Sequence, residues 1–305
     1  MNFEEYTEIE ALNWSSLKNM HASPLVYHYR KQRPWPDSPA FALGRLVHTA
    51  ILEPEDLAGR YVAVAGRIPA NWRETHKRLN DHVIYPGKVR RGKAWDAFQA
   101  DHDQPILTAP EHERIVGMAA LVGDREVVTE EQLQIATSMA RAVRTHEAAG
   151  QVFTGGRAEE TVQWQDTKTG IPCKGRLDYV TPVRLVDLKT TATIEPRRFS
   201  RAAADFLYHG QLAYYHDGAI EAGVLPKDAE NPMLVAVQKS EPYDVVVYRL
   251  TDQVLDAGRT LYRSLLDRLH DCQNVNWFPG LAPAPVTLDL PQWAAGMNGF
   301  AEEEW

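Results

Sequence analysis

The sequence predicts a mixed α/β (α+β) chain organised as one compact domain. Three observations predict it. Apolar residues recur at helical spacing up to about residue 150, strict alternation replaces that spacing after Gly155-Gly156, and no flexible linker separates the two regimes. At 305 residues and 44% hydrophobic content, the chain can bury a substantial core.

Residues 11 to 31 read as two short helices. Asn13 or Ser15 can cap the first, and Ser23 followed by Pro24 gives an N-cap with proline at the first helical position. A polar, proline-bearing loop spans Gln32 to Pro39. From Ala40 to Leu52 the positions Phe41, Leu43, Leu46, Val47, Ala50 and Ile51 keep a helical period that Pro54 limits, and this helix carries Gly44 and His48. The middle, from about Leu57 to Gly150, reads as polar and mostly helical, with Arg90, Arg91 and Lys93 beside Trp95 and Phe98. Within it, Ile106-Leu107-Thr108 leading to Ile115 and Met118-Ala119 parallels Val127-Val128-Thr129 leading to Ile135 and Met139-Ala140. The spacings differ by one residue, which reads as chance or a minor duplication and not as a solenoid.

Three strand candidates follow: Glu159 to Gln165, Lys174 to Val180 and Arg184 to Lys189. A helix from about Pro196 to Ala222 comes next, then strands Met233 to Lys239 and Asp244 to Leu250 about a Glu-Pro-Tyr turn. A terminal helix, about Asp252 to Asp271, precedes an aromatic, proline-rich tail. The single domain 1–305 thus divides into a mostly helical part (1–150), a sheet with its helix (151–250) and a terminal helix with its tail (251–305).

Composition narrows the function. No apolar run reaches membrane-spanning length, and Met1 to Glu10 is acidic where a leader would be basic, so a cytoplasmic protein without membrane contact is expected. Cys173 and Cys272 are too few for a disulfide framework or a four-cysteine cluster. The formal net charge of −8 confines any nucleic-acid contact to a local positive patch.

The chemistry concentrates in residues 174 to 189. Pro182 sits at the second position of a Thr181 to Arg184 turn. Pairing symmetric about that turn sets Asp178 opposite Asp187 and Arg176 opposite Lys189, all on one face, with Leu177, Tyr179, Val186 and Leu188 on the other. Like charges across a strand pair destabilise it, so two carboxylates there call for a cation. Salt bridges on a solvated face would also explain the charges, but Lys189 beside the second carboxylate favours phosphodiester chemistry. Two acids can hold a hard divalent ion, and an ammonium can orient a water.

Asp178 followed by Asp187-Leu188-Lys189 resembles the signature of the PD-(D/E)XK nucleases. Gly44 to His48 is similar to their Gly-XXX-His motif, and Gln211 to Tyr215 to their Gln-XXX-Tyr motif. Leu17-Lys18, Ser23-Pro24, Glu53-Pro54 and Cys173-Lys174-Gly175-Arg176 extend the likeness toward the RecE-like (exonuclease VIII) group of phage recombination exonucleases. The resemblance implies a restriction-endonuclease-like core, a central mixed sheet flanked by helices. It implies magnesium, or manganese in its place, held by Asp178, Asp187, the Leu188 carbonyl and His48, with Lys189 positioning water. Taken alone, His48 on an apolar helix face would read as a core histidine. Gln211 and Tyr215 are implied near the cut, and Tyr208 shares their helix face. Glu159 or Glu160 stands where relatives carry a further acid, the choice between them open. Arg176, Arg90, Arg91, Lys93, Arg197 and Arg198, with Arg201 beside them, are candidate DNA contacts, and Trp95 could stack on a base or anchor a helix. The implied activity is resection of double-stranded DNA ends, 5′ to 3′, leaving 3′ single strands. Implied partners are a single-strand annealing protein and a ring-shaped homo-oligomer. Alternatives are a catalytically silent DNA-binding or scaffold protein of the same fold, or an endonuclease or single-strand nuclease.

Overall fold

A computed structural model describes residues 3–33, 38–64, 82–88, 90, 92–104, 106–123, 125–282 and 284–290. The chain opens with α1 (Phe3–Glu8), α2 (Trp14–Leu17), α3 (Asn19–Ala22), α4 (Pro24–Gln32) and α5 (Pro39–Leu52). Residues 11 to 31 thus form three short helices, not two. Asn13 Oδ1 accepts the Ser16 N–H at 2.8 Å to cap α2, and Ser23 caps α4 with Pro24 in its first turn.

The middle departs from the helical expectation. Alongside α6 (Leu57–Arg60), α7 (Lys93–Ala100), α8 (Ala109–Val122), α9 (Glu130–Thr145) and α10 (Glu147–Val152) it holds, among the described residues, four strands of three or four residues. These are β1 (Tyr61–Val64), β2 (Val83–Tyr85), β3 (Ile106–Thr108) and β4 (Glu126–Thr129). They pair in parallel, β1 with β4 and β2 with β3. The two similar segments turn out to have a common build. Each is a short strand that enters a helix through a threonine cap with a reciprocal capping box, Thr108 with Glu111 and Thr129 with Gln132.

The main sheet has five strands: β5 (Arg157–Gln165), β6 (Pro172–Val180), β7 (Leu185–Thr191), β8 (Met233–Gln238) and β9 (Val245–Arg249). Their order is sequential, and only β7 and β8 are parallel. The parallel crossover runs through α11 (Pro196–Asp205) and α12 (Tyr208–Glu221), and α13 (Asp252–Asn274) closes the fold. The single helix expected from Pro196 to Ala222 is therefore broken. Leu207 adopts a left-handed conformation at φ 58°, which an apolar period does not reveal because residues on both sides keep helical spacing.

Alternation along β7 and β8 divides the core. Leu185, Leu234 and Ala236 join Trp14, Leu17, Leu212, Tyr214 and Leu266 on one face, while Val186, Leu188, Val235 and Val237 join Leu46, Val47, Met139 and Val143 on the other. Leu177 does not share a face with Tyr179 as expected; the two lie in different clusters. The β5–β6 ladder skips Glu159 and Asp178 between its pairs Ala158–Tyr179 and Glu160–Leu177, and Glu159 has φ 51°, so β6 turns over at this point. Among the described residues, no helix is long and apolar enough to cross a membrane.

Asp217 ties α12 to α13. It accepts from Tyr262 Oη at 2.6 Å, from Arg259 Nη2 at 3.0 Å and from Arg259 Nε at 3.1 Å. Burial pushes its carboxyl up, but the bonds from His216, Arg259 and Tyr262 outweigh burial and hold it well below the usual carboxylate range. Such a group stabilises the fold fully above its unfolded pKa of about 4, and the contribution fades as pH falls through the depressed folded value. Asp217→Asn is expected to cost about 2 kcal/mol in urea unfolding at pH 7. The gap to wild type should narrow steadily below pH 4, and a gap independent of pH would show that the charge contributes nothing.

Candidate active site

Strands β6 and β7 pair only at Tyr179–Val186 and Val180–Leu185. The Thr181 to Arg184 turn sets this register, with the Thr181 N–H bonded to Arg184 O at 2.9 Å. Extended outward it leads to Asp178 and Asp187, but the ladder stops there. Arg176 consequently does not face Lys189 as the symmetric pairing predicts. Away from these two pairs, β6 is bonded only to β5 on its other edge, and β7 only to its parallel partner β8. The backbone groups bared by this fork are satisfied in two ways. Asp178 Oδ2 accepts the Leu188 N–H at 2.7 Å, and Leu12 bridges the freed edge of β6, bonding Pro172 O and the Lys174 N–H, each at 2.8 Å.

Acidic and basic groups meet at the fork. His48, reaching from α5, places Nδ1 3.8 Å from Asp178 Oδ2. One ligand atom each from His48, Glu159 and Asp178 lie within 4.8 Å of one another. The structure thus separates the two adjacent acids: Glu159 joins the cluster, while Glu160 pairs with Arg157 at 3.1 Å. The expected metal set is brought together only in part. Asp187 lies outside that triad, 2% exposed, with Oδ2 2.5 Å from Lys189 Nζ. The Lys189 ammonium also sits 5.1 Å over the Tyr208 ring.

Burial dominates the electrostatics. It pushes the Asp187 carboxyl up to about 6 despite Lys189, with Asp178 adding to the rise, and it raises Asp178 and Glu159 in the same direction. Burial would depress the Lys189 ammonium, but Asp187 and Asp178 outweigh it and hold it above its ordinary value. His48 is lowered by burial and then by Lys189, which favours the neutral imidazole that ligates metals. A bound divalent cation would offset the three carboxylates crowded at the fork, and a donor set of carboxylates, one imidazole and an adjacent main-chain carbonyl fits a hard ion.

The surrounding motif residues have separable roles in packing. Lys174, buried, donates to Tyr6 O at 2.7 Å and Ile9 O at 2.8 Å, fastening the end of α1. At Gly175 an added Cβ would lie 2.9 and 3.0 Å from the Tyr215 ring, so only glycine lets Tyr215 reach this depth. Arg176 donates Nε to Glu159 Oε2 at 2.5 Å and is turned inward, not toward solvent. Gln211, half-buried, hydrogen-bonds Tyr215. At Gly44, one turn before His48, an added Cβ would meet no described atom within 4 Å, so the helix carries a glycine that packing does not require.

The remaining basic candidates are placed less tightly. Arg197 and Arg198 are exposed at the start of α11, where Glu195 caps their N–H groups. Arg90 and Lys93 are exposed beside β2 and α7, a region paired with β3 and not with the main sheet, and Arg91 lies outside the described residues. Trp95 packs edge-on against Tyr85 with centroids 4.7 Å apart, which accounts for it as an anchor of α7. A cavity of about 290 Å³ elsewhere, lined by Trp164, Asp166, Asp217, Tyr262 and Arg263 among others, shares no residue with the fork; Asp166 pairs with Arg263 across it, and Asp217 pairs with Arg259.

With this geometry in place, comparison with known proteins identifies the family. Residues 13–283 match the family described as a PDDEXK-like domain of unknown function (DUF3799). The chain belongs to this family. No curated protein matches the chain. A crystal structure of a candidate exonuclease from Eubacterium rectale is 14% identical, covers 98% of each chain and superposes with a TM-score of 0.55, a likeness of fold. A second crystal structure, of SSO0001, is 16% identical over 50% of this chain and 70% of its own, at a TM-score of 0.23 that carries no argument. The PD-(D/E)XK resemblance is thereby established, together with its mixed sheet flanked by helices.

Two glycines test the packing with opposite signs. Gly44→Ala, in open space on a helix, is expected to raise stability by about 0.5 to 1 kcal/mol. Gly175→Ala, against Tyr215, is expected to lower it by about 1 to 3 kcal/mol. Thermal unfolding of both variants measures this, and a midpoint for Gly175→Ala at or above wild type would contradict the close approach.

Proposed function

We propose that this DUF3799-family protein is a divalent-metal-dependent exodeoxyribonuclease that resects linear double-stranded DNA. The observation that carries the proposal is the fork, where Asp178, Glu159 and His48 converge beside the Asp187–Lys189 pair. Magnesium bound there, with manganese as a substitute, would polarise the scissile phosphate and lower the pKa of a water.

The chain's own groups take the other roles. Asp178, Asp187, Glu159, His48 and the Leu188 carbonyl are the ligand candidates. Lys189, held charged by its two carboxylates, orients the attacking water and steadies the charge that develops on the phosphate. Arg176 fixes Glu159 through their short ion pair. Tyr215 walls the site from the core side, and Gln211, bonded to it, is left to present its amide to the phosphate or base. Resection 5′ to 3′ for annealing-type recombination, a ring of subunits and an annealing partner follow from the RecE-like resemblance and form the finer part of the proposal.

Linear duplex labelled at either the 5′ or the 3′ end is expected to release acid-soluble nucleotides only with magnesium or manganese, while closed circular DNA resists. Label released first from the 5′ end supports the polarity; cutting of closed circles would replace the exonuclease with an endonuclease. Lys189→Ala and Asp187→Ala are each expected to reduce cleavage by at least about a hundredfold while the fold persists. Wild-type rates in either variant would refute the assignment. Independently of activity, saturating magnesium is expected to raise the stability of the wild type by about 1 to 3 kcal/mol. Asp178→Asn should remove most of that gain in a thermal shift, and an unchanged gain would place the ion elsewhere.

A further inference from the structure

The break between α11 and α12 carries an aromatic stack that begins at the site and ends in solvent. Lys189 Nζ lies 5.1 Å over the Tyr208 ring, and Tyr208 in turn stacks on Phe206 with centroids 5.7 Å apart and planes 25° apart. Tyr208 is half-buried, whereas Phe206 is 62% exposed. Between them Leu207 holds φ 58° and ψ 38°, a conformation that a residue with a branched apolar side chain adopts only under strain. The strained residue turns two helices so that Tyr208 faces the lysine while Phe206 faces outward. With most of its surface in water, Phe206 contributes little to folding beyond its contact with the Tyr208 ring. Preceding it, α11 exposes Arg197, Arg198 and Arg201, placed within one turn of one another.

A stacking platform led by a row of cations is the arrangement that binds a nucleic-acid strand by its bases and its backbone together. From this we infer that Phe206 is a positioning residue that stacks on the nucleobase adjacent to the phosphate at the fork, extending the Lys189–Tyr208–Phe206 series by one ring. The inference rests on the nuclease reading of the fork, but it concerns a different contact. A base stacked there fixes the strand's register relative to Lys189, so removing the ring weakens engagement of the strand more than the chemical step. Exposure also makes the position a safe one to change, because Phe206 is not part of the buried core.

The full-length protein is titrated, in EDTA so that nothing is cut, into short linear duplexes carrying 2-aminopurine at each of the last three positions of either strand. The wild type and Phe206→Trp are expected to quench at least one position. Phe206→Ala should lose that quench and bind about tenfold more weakly. With magnesium, Phe206→Ala should raise KM with kcat little changed, and Phe206→Trp should restore KM. Quenching and affinity equal to wild type in Phe206→Ala would overturn the inference. If the wild type cuts DNA and Phe206→Ala cuts it with the same KM, the stacking contact falls and the nuclease reading stands. If the wild type cuts nothing while quenching depends on Phe206, the reverse holds.

Discussion

Everything at this site depends on a sheet that is split on purpose between β6 and β7. Two hydrogen-bonded pairs hold the strands together at one end, and beyond them each strand stays paired only on its other edge, β6 with β5 and β7 with β8. A continuous ladder would have sealed backbone to backbone and left the acids on one flat face. The fork instead opens the sheet where its two core layers meet, so that His48 from the α5 side and Tyr215 from the α12 side approach the same carboxylates. The cost is a set of unpaired backbone groups, and the chain covers it with Asp178 on the Leu188 N–H and with Leu12 against the freed edge of β6.

The N-terminal segment therefore belongs to the site's construction. Leu12 occupies the place along β6 that β7 has vacated, and Tyr214 Oη donates to Leu12 O at 2.7 Å from the helix that also carries Gln211 and Tyr215. Lys174 secures the preceding turn through the carbonyls of Tyr6 and Ile9, with its ammonium 4.4 Å over the Tyr6 ring. One stretch of β6 thus does three jobs at successive residues. Lys174 holds the N-terminal segment, Gly175 admits Tyr215 and Arg176 fixes Glu159, so a change of size or charge at any of the three would disturb a different contact.

Much of this was legible because it is local. The Thr181 to Arg184 turn, the alternation of β7 and β8, the caps at Asn13 and Ser23, and the pairing of an acid with the lysine two residues on follow from short-range rules that tertiary context did not override. What the sequence concealed are consequences of tertiary strain. The left-handed residues Glu159 and Leu207 are an acid and a leucine, neither of which announces a positive φ. The first decides that Glu159 and not Glu160 turns to the site, and the second decides that Phe206 leaves the helix and faces water. The strands of the middle region escaped for a different reason, since three or four residues are too few for alternation to stand out against helical neighbours.

These two strained residues flank the site from different elements, one near the start of β5 and one at the α11–α12 break. A folded chain keeps such conformations only where surrounding contacts over-determine them. At Glu159 the contact is the Arg176 ion pair; at Leu207 it is the Tyr208 ring caught beneath Lys189. Lys189 is consequently the point at which the two halves are coupled. Its charge is maintained by Asp187 and Asp178 and its ammonium lies over the first ring of the aromatic stack, so neutralising it would remove a contact from the carboxylates and from Tyr208 together.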